Sequence, residues 1–340
     1  METIPDGLDA DRVRAVLVRL GLCSADEPLS CVPLAGGVSS EIVRADLPGR
    51  SVCVKRALGR LKVAADWRVP VGRSAHEAEW LRIAGVIVPE AVPRLHGYDP
   101  ELGALAMQWL APDLHPVWKG LLRDGCCDAA FAAAVAESFV AIHAATAGDA
   151  AIATRFDTGP LFHALRLEPY LLATAERHPA LADRLRALVA TTASTRLALV
   201  HGDASPKNIL AGPVGPVLLD AECAWYGDPA FDAAFCLNHL LLKCLWTPPA
   251  TDALLACFDA FAASYLAGVA WEPPERLAAR IGALLPALLL ARVDGKSPVE
   301  YLVDERDRAF VRRIASALLR EPPATPAAVA AAWRGALSAR

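Results

Sequence analysis

A polar loop held between three short apolar runs constrains this chain more than any other feature. Leu197-Ala198-Leu199-Val200 leads into His201-Gly202-Asp203-Ala204-Ser205-Pro206-Lys207-Asn208. Ile209-Leu210-Ala211 follows, and Pro216-Val217-Leu218-Leu219 then leads into Asp220-Ala221-Glu222. Short apolar runs bounded by Gly, Pro and Asp read as strands, yet the sequence on both sides is rich in alanine and leucine and favours helix. Asp128 caps an alanine-rich segment that runs to about Thr146. Residues 161–179 and 180–192 are helical, with Pro179 as the break. From Pro229 helices continue to the end, interrupted at 247–250, 272–275 and 321–325. The chain must therefore fold a small β insert into a helical half and present Asp203, Asn208 and Asp220 from it.

The first third has a different texture. Residues 8–22 read as a leading helix, and three strand-like runs lie between about 30 and 56. Residues 74–85 read as a helix with Ser74 at its N-cap and Gly85 at its end, and two more strands follow within 92–112. The expectation is an α+β chain: a β-rich N-terminal lobe with one helix over 1–110, and a mostly helical C-terminal lobe over 111–340.

At 54% hydrophobic and 21% charged residues the chain is not disordered. A net charge of −4 provides no electrostatic footprint for nucleic acid or an anionic membrane. The nine cysteines (23, 31, 53, 126, 127, 223, 236, 244 and 257) form no C-x-x-C and no zinc-ligand spacing, so they read as buried small hydrophobes of a reducing cytosol. The N-terminus carries acid before any apolar stretch, unlike a signal peptide. The longest apolar run, Ile281 to Ala291, is broken by Gly282 and Pro286 and is too short to span a bilayer. A soluble cytoplasmic protein is expected.

Asp, Asn and Asp at these spacings suit phosphoryl transfer. That reaction needs the acceptor hydroxyl aimed in line and the triphosphate charge neutralised by metal. An Asp in a tight loop can accept the hydroxyl proton, while an Asn five residues on and an Asp after the next hairpin supply oxygens of the kind Mg²⁺ takes. The pattern H-G-D-x-x-x-x-N-I-L…D resembles the catalytic loop of the protein-kinase-like superfamily. Gly202 in place of an arginine resembles its aminoglycoside phosphotransferase and choline kinase branch. That resemblance implies a bilobal protein-kinase-like fold, with Asp203 as base and Asn208 and Asp220 as metal ligands. The D-x-E form at 220–222 resembles methylthioribose kinases, which makes Glu222 a candidate second metal carboxylate. Asp228, Asp232 and His143 read as structural.

Upstream, Lys55 stands alone in the strand Val52-Cys53-Val54-Lys55 and precedes a helix bearing Glu77 and Glu79. In the kinase arrangement a strand lysine binds the α- and β-phosphates and a helix glutamate holds it. Glu77 is the preferred partner, because E-A-E-W-L resembles the family's E-x-x-x-L, with Glu79 as the alternative. Residues 58–73 between them resemble an insertion. Gly36 and Gly37, with Ser39 and Ser40, occupy the place of a phosphate-covering loop, and Met107 and Trp109 that of the adenine-binding linker.

Together these features predict an ATP- and Mg²⁺-dependent kinase acting on a hydroxyl of a small molecule. Aminoglycoside-like, sugar and amino-alcohol acceptors all remain open, as does oligomeric state. Trp225, Tyr226, His239, Trp246 and Asp294 are pocket candidates. The alternative is a catalytically silent nucleotide-binding pseudokinase; the presence of Lys55, Asp203, Asn208 and Asp220 weighs against it. No A-P-E segment follows Asp220, which weighs against a protein kinase.

Overall fold

The computed structural model describes residues 7–34, 39–59 and 72–340, and divides the chain into two compact units. The first comprises residues 1–113 with 220–222, the second 114–219 with 223–340.

In the first unit, α1 (Ala10–Arg19) is capped by the Asp9 carboxylate, which accepts from Arg12 N–H at 2.9 Å. It is shorter than the expected 8–22, because the chain turns at Leu20 and Gly21. Its buried Val13, Val16 and Leu17 follow helical spacing. They pack on a five-stranded antiparallel sheet of β1 (Ser30–Pro33), β2 (Ser40–Leu47), β3 (Arg50–Ala57), β4 (Leu95–Asp99) and β5 (Ala104–Gln108), in the order β1-β2-β3-β5-β4. Side chains alternate across a strand. Val43, Val54, Ala104 and Ala106 therefore face α1, while Lys55, paired with Ile42 and Leu105, points to the other face.

On that other face lies α2 (Arg73–Ile87). Ser74 is not its cap. Gly72 holds the cap position without a side-chain bond, and the Ser74 hydroxyl instead accepts from Ala57 N–H at 2.9 Å. The helix also runs through Gly85.

The second unit opens with α3 (Trp118–Arg123) and α4 (Ala129–Thr146), whose Asp128 cap accepts from Ala130 N–H at 2.8 Å. After α5 (Ala150–Arg155) and α6 (Gly159–Phe162) the helix widens into π geometry over His163–Leu172, which contains Pro169, before α7 (Ala173–Arg177) and α8 (Ala182–Ser194). Proline lacks the N–H that an α ladder requires, so a wider turn here has a local cause.

The β insert is β6 (Ala198–Val200), β7 (Ile209–Ala211), β8 (Pro216–Leu218) and β9 (Trp225–Gly227). The strand β9 lies outside the three apolar runs expected to form the insert and pairs antiparallel with β6. Three-residue strands carry almost no periodic signal, so only tertiary pairing defines them.

The remaining helices are α9 (Ala230–Trp246), α10 (Thr251–Ala267), α11 (Pro274–Asp294), α12 (Glu305–Arg320) and α13 (Pro326–Ser338). The break at 295–304 went unpredicted. α9 is buried from Ala230 to Leu245 and packs between α10 and α11. α11 passes through Gly282 and Pro286 without ending. A Cβ at Gly282 would lie 2.6 Å from Pro323 O, so close packing requires glycine there.

Two other helices, Ala129–Thr146 and Pro248–Ala267, are long and apolar enough to cross a membrane, and about half of each is buried within the fold. Of the cysteines, five are buried; Cys23, Cys31 and Cys127 are half-buried and Cys126 is exposed, so the expectation that all nine are core residues fails.

Candidate active site

In the first unit, Lys55 is 3% exposed and its Nζ lies 2.7 Å from Glu77, with a second ion pair to Asp220. Burial alone would lower the Lys55 ammonium, but Asp220 and Glu77 overcome that and hold it well above its ordinary value. Burial pushes the Glu77 carboxyl up while Lys55 draws it down. Helical phase explains the choice of partner. Glu77 is buried on the sheet side of α2, whereas Glu79, two residues on, is half-buried and paired with Arg82. Asp220 adopts φ +69, a conformation that non-glycine residues rarely take, in which Asp is over-represented.

Glu222 is buried. It is 6% exposed, and Oε2 accepts from Arg73 Nε at 2.8 Å. Arg73 also donates to Ser39 O at 2.5 Å and to Leu58 O at 2.7 Å. It is 1% exposed and had no role in the sequence reading, which placed it in an insertion. In the sequence it stands just before Ser74, and in the structure it is the first residue of α2.

Ser40 begins β2 with its Oγ buried and, among the described residues, without a hydrogen-bond partner. Gly36 and Gly37 lie outside the described residues. Met107 is buried at the end of β5 on the Lys55 face. Trp109 carries the Arg44 guanidinium 5.5 Å from its ring centroid; Arg44 pairs with Cys53, so that ring too lies on the Lys55 face.

In the second unit, the loop after β6 takes its shape from Gly202. Its φ is +78, and a Cβ there would lie 2.5 Å from Cys223 O, so any L side chain is excluded twice over. The carboxylate of Asp232 accepts from His201 N–H at 2.7 Å and Gly202 N–H at 2.9 Å, and lies 3.2 Å from His143 Nε2. His143 and Asp232 are thus structural braces. Asp228 caps α9 through Ala230 N–H at 3.0 Å and is held by Arg280. The His201 ring accepts from Asp203 N–H through Nδ1 at 3.1 Å, which puts its proton on Nε2, 3.0 Å from Leu219 O.

Asp203 is 3% exposed. Its Oδ2 receives Asn208 Nδ2 at 2.9 Å, Arg166 at 3.0 Å and Lys207 Nζ at 3.1 Å. Burial would raise this carboxyl, yet Arg166 and Lys207 hold it well below the usual carboxylate range. Arg166 was missed by the sequence reading. It projects from the π-helical stretch and fixes Gly202 O at 2.6 Å as well. Its signal was a lone arginine among leucines.

Three of the pocket candidates are structural. Trp225 stacks on Phe162 at 4.3 Å, the Tyr226 hydroxyl donates to Leu197 O at 2.9 Å, and Asp294 is held by Arg312 and His178.

The model of the phosphotransferase enzyme family (APH) matches residues 30–271. A methylthioribose kinase of Bacillus velezensis is 25% identical over 293 residues, covering 76% of this chain and 73% of that protein. One from Geobacillus sp. strain WCH70 is 24% identical over 276 residues, covering 72% and 68%. The crystal structure of a choline kinase from Cryptosporidium parvum Iowa II superposes with a TM-score of 0.50 at 10% identity, covering 97% of this chain and 95% of that one, which shows the shared kinase-like α+β fold. With its family match spanning most of its length, the chain belongs to the phosphotransferase enzyme family and is an ATP-dependent phosphotransferase with a hydroxyl acceptor.

Proposed function

We propose that this enzyme transfers the γ-phosphoryl group of ATP to a hydroxyl of a small molecule, with Asp203 facing the acceptor. The environment of Asp203 supports this most directly: a buried carboxylate held ionised by two cations and oriented by Asn208. A carboxylate this acidic is a weak base. Its task is to hold the hydroxyl in line and to take the proton late, which suits a loose phosphoryl transition state.

Lys55, backed by Glu77, would bind the α- and β-phosphates. The Ser40 Oγ, without a partner among the described residues, is a further donor of the kind phosphate oxygens take. Gly36, Gly37 and Ser39 would cover the phosphates, and Met107 and Trp109 would border the adenine.

The donor set fits Mg²⁺. Both bonds of Asn208 Nδ2 go to Asp203, so Oδ1 is the atom left for a cation. Asp220 is the most exposed carboxylate of its cluster, at 23%. Glu222 is a third candidate ligand with one oxygen already committed to Arg73. Among the described residues no three His, Cys, Asp or Glu side chains gather as a metal cage. Mg²⁺ usually takes one or two carboxylates plus substrate phosphates and water. When bound, the ion would neutralise phosphate charge. We place the enzyme in the cytoplasm, with no nucleic-acid partner.

The test is Mg·ATP consumption by purified protein across hydroxylated small molecules, with Asp203→Asn as the comparison. Turnover that falls by about 10²–10⁴-fold in the variant, with ATP binding kept, supports the assignment. Undiminished turnover in Asp203→Asn overturns it.

A further inference from the structure

The second unit buries two basic side chains that pair with no carboxylate among the described residues. Lys243 on α9 is 1% exposed, and its ammonium lies 5.0 Å from the Trp246 ring centroid and 4.7 Å from that of Tyr301. Arg292 on α11 is 9% exposed. It donates to the Tyr170 hydroxyl at 3.2 Å, to Ser297 Oγ at 3.2 Å and to Ser297 O, all neutral groups. Among the described residues neither cation has a carboxylate within ion-pair distance. The nearby acids are already engaged: Glu300 with Lys119, Glu168 with Lys296, and Asp294 with Arg312 and His178.

Two donors of this cluster are also buried without a partner among the described residues, Arg292 Nε and the Tyr301 hydroxyl. Buried polar groups are normally satisfied, and a buried charge without a counter-ion is strongly unfavourable. Aromatic faces and hydroxyls offset part of that cost but supply no negative charge.

The cluster is linked to Asp203 through Arg166 and the aromatic rings they share. Arg166, 3.0 Å from Asp203, lies 6.0 Å from the Tyr170 ring centroid, and Arg292 lies 5.4 Å from the same ring. Arg166 also lies 5.9 Å from the Phe235 ring, which contacts His239, and His239 is one helical turn before Lys243 on α9. The His239 imidazole is held neutral by burial and by Arg292 and Lys243.

We propose that the phosphate acceptor is itself an acid: a hydroxylated small molecule whose carboxylate or phosphate group is held by Lys243 and Arg292 while its hydroxyl faces Asp203. The inference rests on the phosphotransferase assignment above. In the reaction the acceptor oxygen bonds to the γ-phosphorus as the bond to ADP breaks, and the hydroxyl proton passes to Asp203. A cationic amine beside Lys243 and Arg292 would meet like charge, and like-charge juxtaposition selects against it.

The experiment uses matched pairs differing only by the acid group: D-gluconate against D-glucitol, D-ribose 5-phosphate against D-ribose, with choline and kanamycin as cationic probes. Binding is followed by calorimetry and transfer by ADP release. An acid member should bind more tightly than its neutral twin, with choline and kanamycin inert. Lys243→Met and the conservative Arg292→Lys should each raise its KM by about tenfold or more while lowering kcat less. Tyr301→Phe, which removes one hydroxyl and keeps the ring, tests the cluster should Lys243→Met fail to fold.

Preference for a neutral or cationic probe, equal binding within every pair, or a changed KM for ATP alone would overturn the inference. Acid binding that depends on Lys243 and Arg292, with transfer to the acid probe undiminished in Asp203→Asn, would support the acid subsite and overturn the role proposed for Asp203.

Discussion

Arg73 and Glu222 form a buried ion pair at 2.8 Å between residues 149 positions apart in the chain. The same guanidinium holds the carbonyls of Ser39 and Leu58, so one side chain ties both ends of the β2–β3 hairpin to the segment carrying Asp220. Removing one partner of a buried pair costs roughly 3–5 kcal/mol, because the other is left charged and unanswered. Arg73→Met should therefore lower the urea midpoint sharply. Adding Glu222→Gln should recover part of the loss. Strict additivity of the two substitutions would show that the pair is not coupled.

Gly202→Ala should be far worse than an ordinary turn substitution. It combines φ +78 with a Cβ 2.5 Å from a backbone oxygen that cannot swing away. Gly103, at φ +62 with open space around it, is the control, and alanine there should cost only about 1 kcal/mol from backbone strain. Thermal melts of both variants, with turnover of Gly202→Ala, check this. Equal loss at the two positions would contradict the close-packing explanation.

Asp203 should not set the acid limb of activity. Its carboxyl is depressed in the folded state, so its stabilising contribution is present above the ordinary value of about 3.9 and is lost only as pH falls below that. Arg166→Met removes the leading cation, raises the Asp203 carboxyl, and should move both acid unfolding and the acid limb of kcat to higher pH. Superimposable pH profiles would rule out Arg166 as the group that holds Asp203 ionised.

Lys243 has the opposite sign. Burial, with Lys119 adding repulsion, pulls its ammonium down to about 7, below the ordinary lysine value of about 10.4. The unfolded chain holds the proton through that interval while the folded chain releases it. Stability relative to Lys243→Met should therefore rise with pH between about 7 and 10.4. Binding of an anion beside Lys243 should restore the proton and reverse the trend, visible in calorimetry as proton uptake that varies with buffer. A pH-independent difference between wild type and Lys243→Met would contradict this.

Much of this was readable in residue order alone. The strand lysine, the helix glutamate, the Asp–Asn–Asp spacing and the Asp128 cap are local patterns, and short-range geometry decides them. Gly85 and Ser74 misled because cap preferences are weak, and the packing of α2 on the sheet decided both ends. The strand β9 was hidden because three residues have no period of their own.

Residue order determined the element types over most of the chain and the separation of a β-rich first part from a helical remainder. Apolar spacing and turn chemistry act within a few residues, so both are written locally. Only the tertiary structure decided which glutamate meets Lys55, that Arg73 and Arg166 complete the two carboxylate clusters, and that Lys243 and Arg292 are buried without an ion-pair partner among the described residues. Long side chains reach partners over a hundred positions away, and whether a charge is answered depends on what burial brings beside it.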